Sequence, residues 1–60
     1  MTLYELNQIC HEPLVVYTMY GDEKICIFTQ CNYMDNLPAL FEECDVREIW
    51  CDNDLITVLI

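Results

Sequence analysis

The chain has 60 residues, 55% of them hydrophobic, with a formal net charge of −9 from eleven carboxylates set against Lys24 and Arg47. That hydrophobic fraction excludes a disordered acidic tail, and that charge repels nucleic acid and anionic lipid while favouring basic surfaces. A chain this short makes one domain, spanning residues 1–60, and buries only about 60% of the surface its unfolded form exposes.

Thr2 and Glu5 are spaced as a capping box, in which each residue's side chain satisfies the other's backbone N–H. Leu3, Leu6, Ile9 and Cys10 recur at helical spacing, so a helix is expected from Leu3 to about Cys10, ended by Pro13. Leu14 to Tyr20 is rich in β-branched and aromatic residues and reads as a strand. Gly21-Asp22 marks a hairpin turn, and Lys24 to Cys31 reads as the return strand. A loop over Asn32 to Asn36 leads to a second helix, Leu37 to Cys44. Asn36 is its expected cap, Pro38 sits in its first turn, and Leu37, Leu40, Phe41 and Cys44 form its apolar face. Val46 to Cys51 is the third strand, Asp52-Asn53-Asp54 a turn, and Leu55 to Ile60 the fourth strand. The order α-β-β-α-β-β predicts an α+β domain, with two short helices packed on one face of an antiparallel sheet.

The last strand is apolar on both faces, Ile56, Val58 and Ile60 on one and Leu55, Thr57 and Leu59 on the other. Such a strand is central or faces a partner. The chain has few helices to cover both sides, so a homodimer or a target seated on this strand is expected.

The sequence gives little room for catalysis. It contains no serine, one glycine and one histidine, His11. A phosphate-cradling glycine loop is therefore absent. Cys10 and His11 are neighbours whose side chains diverge, which does not suit a nucleophile–base pair. The protein is expected not to be an enzyme. A basic leader and a long apolar run are both missing from the N-terminal segment, and no stretch approaches the ~20 apolar residues a membrane span needs. The expected location is the cytosol, where thiols stay reduced.

Five cysteines do not suit a closed disulfide set. Two readings fit them. Free cysteine is among the most buried residue types, so they can be packed thiols; Cys26, on a face with Phe28, and Cys51, on a face with Ile49, suit that reading. Alternatively, thiolate and imidazole suit a structural zinc, whose ligands would come from Cys10, His11, Cys31 and Cys44 at element ends. No Cys-x-x-Cys spacing decides between the two.

Glu42, Glu43, Asp45, Glu48, Asp52 and Asp54 crowd the second half of the chain. Carboxylates held on a rigid face imitate phosphates and can occupy a basic channel; a solvated face is the plainer reading. Trp50, Tyr20 and Tyr33 are candidate anchors, because Tyr and Trp are enriched in binding hot spots.

The opening Met-Thr-Leu-Tyr-Glu-Leu, the central Asn-Leu-Pro-Ala-Leu-Phe and the segment from Val46 to Ile60 resemble small acidic proteins of phages and prophages, among them the anti-CRISPR proteins that inhibit type II-A Cas9. The likeness is one of element pattern over most of the chain. It implies a protein-binding inhibitor acting in a host bacterial cytosol, with Cas9 as partner and target-DNA loading or cleavage as the blocked step. A zinc-containing member of that group makes zinc the implied cofactor. The resemblance assigns no binding residues. The alternative is a small homodimeric phage accessory protein without inhibitory activity.

Overall fold

The computed structural model describes every residue except Asp54, and describes Asp52 through its backbone alone. Two helices and four strands follow in the order α1 (Leu3–Ile9), β1 (Leu14–Tyr20), β2 (Glu23–Thr29), α2 (Ala39–Glu42), β3 (Glu48–Asp52) and β4 (Leu55–Leu59). The expected α+β order is present.

Helix α1 begins at the capping box. The Glu5 N–H donates to Thr2 Oγ1 at 3.2 Å, and the Thr2 N–H donates to Glu5 Oε1 at 2.9 Å. Leu3 and Leu6 are buried as the spacing requires, whereas Ile9 is 67% exposed, because the helix ends there and Cys10 is already extended. The β1–β2 hairpin turns at Gly21, whose φ of +64° suits a residue without Cβ.

The sheet has the order β2-β1-β4-β3. It is mixed, not wholly antiparallel as expected, because β1 and β4 pair in parallel, Val16 opposite Val58. Residues 30–47 carry the chain back across the sheet, so β3 runs in the direction of β2, and β4 in the direction of β1. Both backbone edges of β4 are taken, by β1 and by β3. Thr57, Val58 and Leu59 are buried within the single chain, while Leu55 stays 42% exposed. Apolarity on both faces here marks the centre of the sheet.

Helix α2 is half the expected length. Leu37 is buried and Pro38 is extended at φ −55°, ψ 134°, capping the helix without a side-chain bond. The residue before a proline is pushed out of helical geometry, so the start moves from Leu37 to Ala39 and the cap from Asn36 to Pro38. At the other end the Cys44 carbonyl accepts the Leu3 N–H at 2.9 Å, and the Val46 N–H donates to the Met1 carbonyl at 2.8 Å. This short ladder draws Cys44 out of the helix. Of the expected apolar face, Phe41 packs edge-on to Phe28 at 6.3 Å, but Leu40 is 85% exposed.

The core, Leu3, Leu6, Leu14, Val16, Leu37 and Val58, lies between the helices and one sheet face. A bulge adds Ile27 to β2 opposite Val16/Tyr17, so Ile27 and Phe28 both reach this core. Strand β2 stops before Cys31 because Gln30 turns inward. Its side-chain carbonyl accepts the Leu14 N–H at 2.9 Å, and its amide donates to Asn7 Oδ1 at 3.1 Å and to the Asp35 carbonyl at 2.9 Å. One buried amide thus ties α1, β1 and the following loop. Among the described residues no helix is long and apolar enough to cross a membrane.

Candidate functional site

The zinc candidates are dispersed in their contacts. Cys10 caps α1, packs against the core and donates its thiol to the Glu12 carbonyl at 3.6 Å. Cys44 donates to the Leu40 carbonyl at 3.5 Å. Cys31 is exposed, and its N–H is held by Asp35 Oδ2 at 3.1 Å. His11 is exposed and meets the Tyr33 ring at a centroid distance of 5.4 Å. Donor chemistry suits zinc, but among the described residues no three His, Cys, Asp or Glu side chains are gathered as ligands.

The packed-thiol reading also needs correction at two positions. Cys26 is exposed, because the bulge places it opposite Tyr17, on the face that carries no helix and away from the Phe28 side chain. Its thiol lies 3.6 Å from Thr29 Oγ1. Cys51 is exposed on the edge strand β3, opposite Ile56.

The carboxylates divide into two groups. Glu42 and Glu43, at the end of α2, line a groove of about 310 Å³ together with Thr2 and Tyr4 of the α1 start. The Leu3–Cys44 and Met1–Val46 hydrogen bonds hold these walls together. Asp45 sits in the same ladder, bridged through its backbone to Thr2. Glu5, next to Tyr4, has its carboxyl held below its ordinary value of 4.5, chiefly by the Thr2 backbone N–H and then by the Thr2 hydroxyl, so it stays anionic beside the groove.

Glu48 and Trp50 belong to the helix-free sheet face instead. Glu48 Oε2 pairs with Lys24 Nζ at 3.3 Å, and the same ammonium lies 4.5 Å from the centroid of the Trp50 ring. Trp50 meets Tyr17 at 6.1 Å. Asp54 and the side chain of Asp52 lie outside the described residues. The expected acidic face is therefore an acidic groove plus a separate aromatic face on which Glu48 is neutralised. Of the other aromatic candidates, Tyr20 projects at the hairpin with 76% exposure. Tyr33 lines a polar hollow of about 280 Å³ with Asn7, Gln8, His11 and Asp35.

Sequence reasoning missed Tyr4, Lys24 and Gln30. Tyr4 falls off the Leu3–Leu6 stripe, which signals exposure, but nothing local shows that α2 will stand beside it. Comparison with protein-family models, with curated protein sequences and with solved structures gives no match.

Proposed function

We propose that this chain is a non-catalytic inhibitor that binds a protein partner through a basic surface, with Cas9 as the leading target and the bacterial cytosol as the place of action. The observation that carries this reading is an unopposed negative surface beside exposed apolar side chains. The net charge is −9, and Lys24, one of two cations, is already occupied by Glu48. Tyr4, Ile9, Tyr20, Met34, Leu40 and Ile49 are each at least 49% exposed. Where such side chains gather into a contiguous patch rimmed by charge, they mark a protein interaction surface. A standard interface covers about 800 Å² per partner, roughly a fifth of the 4234 Å² this chain exposes. Zinc from Cys10, His11, Cys31 and Cys44 stays a proposal carried by donor chemistry alone.

The test is co-elution with guide-loaded Cas9, followed by target-DNA loading in the presence of the chain. The expected result is a complex that excludes target DNA and weakens as salt shortens the Debye length from about 10 Å at 0.1 M to about 3 Å at 1 M. Absence of a complex at low salt rejects Cas9 as the target. A complex unchanged at high salt rejects electrostatic capture.

A further inference from the structure

The groove between α1 and α2 is lined by one aromatic residue and two acidic ones. Tyr4 is 49% exposed, so its ring is available to a ligand. Glu42 and Glu43 line the same groove. The one ion pair among the described residues is Lys24–Glu48, on another part of the surface; the Met1 ammonium is the nearby positive charge and acts on Glu5, beside Tyr4. The groove is held by main-chain hydrogen bonds between residues 1–3 and 44–46, so its walls are fixed before any partner arrives.

We propose that this groove receives an arginine side chain of the protein partner, which rests on the reading that the chain binds a basic protein surface. The planar guanidinium stacks on the Tyr4 ring, while its forked N–H donors reach the Glu42 and Glu43 carboxylates. Arginine suits the site better than lysine. It stacks on aromatic faces, is more weakly hydrated, and presents donors matched to carboxylates. The groove, at about 310 Å³, has room for one such side chain. A second copy is the poorer occupant, since it brings another nine negative charges and a single arginine, Arg47.

The experiment titrates the isotopically labelled full chain with a capped hexaarginine peptide and, separately, with hexalysine, following amide shifts by NMR. Shifts are expected to centre on Thr2, Tyr4, Glu42 and Glu43, with hexaarginine the tighter ligand. The double variant E42Q/E43Q is expected to lose ~10-fold or more in affinity, the scale of charge-assisted hydrogen bonds, and Tyr4→Leu several-fold. The control E12Q/E23Q removes the same charge from residues that do not line the groove, and is expected to bind nearly as the parent does. Equal losses in the two double variants, shifts spread over all the carboxylates, or hexalysine binding as tightly as hexaarginine would overturn the proposal. The parent shift map decides the matter even where a variant fails to fold. The Cas9 reading fails separately: a groove that binds hexaarginine on a chain that ignores Cas9 upholds the inference and redirects the search for the partner.

Discussion

The two faces of the sheet bury the same central strand by different means. On one face Val58 is sealed by aliphatic packing, with Leu3, Leu6, Leu14, Val16 and Leu37 around it. On the other no helix is present, yet Thr57 and Leu59 are 3% and 2% exposed. Their cover comes from side chains of the sheet itself: Tyr17 and Trp50 in contact, with Lys24 laid over Trp50. Strands lie about 4.8 Å apart, so β2 and β3 would stand about 14 Å apart in a flat sheet. Lys24 on one edge nevertheless touches Glu48 on the other, so this face is curled and long edge residues arch over its middle. A short chain that cannot supply a second helical layer closes its second face with long amphipathic side chains.

The comparison predicts unequal costs. Leu14 is fully buried, and Leu14→Ala is expected to cost about 3 kcal/mol, the middle of the range for core leucines. A chain of this length has roughly 3–9 kcal/mol in total, so chemical denaturation should show the midpoint lowered by about a third or more of the parent's value. Trp50 is half-buried, and Trp50→Ala is expected to cost about 2 kcal/mol, less than a fully buried aromatic. Its midpoint should fall between those of the parent and Leu14→Ala. A larger loss for Trp50→Ala than for Leu14→Ala would make the open face the main support of the fold and reverse the comparison.

Much of the covered face is legible in the sequence. The Thr2–Glu5 box, the Leu3–Leu6 stripe and the hairpin at Gly21 are local patterns, and their physics is local. The parallel pairing of β1 with β4 is not local: it depends on where residues 30–47 return the chain, which no period in the sequence encodes. The bulge at Ile27 reverses the face of Cys26 relative to Phe28, so strict alternation misplaces a thiol. Leu37-Pro38 reads as a helix start, but the proline keeps Leu37 out of helical geometry and is itself extended, which shortens α2. The acidic groove depends on this rearrangement. Glu42 and Glu43 were visible as charges, while their partner Tyr4 became apparent only once residues 44–46 paired with residues 1–3.

Lys24 gives the smallest expected effect. Its contact with Glu48 joins side chains that are 44% and 56% exposed, and such pairs contribute about 0–1 kcal/mol because water screens them. Its contact with the Trp50 ring adds about 0.5–1 kcal/mol at an exposed site. Met at this position keeps a long apolar stem over the same ring and can place its sulfur against the aromatic edge. Lys24→Met is therefore expected to cost less than about 1 kcal/mol, and its thermal melt should stay close to that of the parent, with less dependence on salt. The stem would then account for the cover and the charge for little of it. A loss as large as that of Trp50→Ala would mean that the ammonium itself holds the two sheet edges together, and the open face would then owe its closure to electrostatics more than to apolar cover.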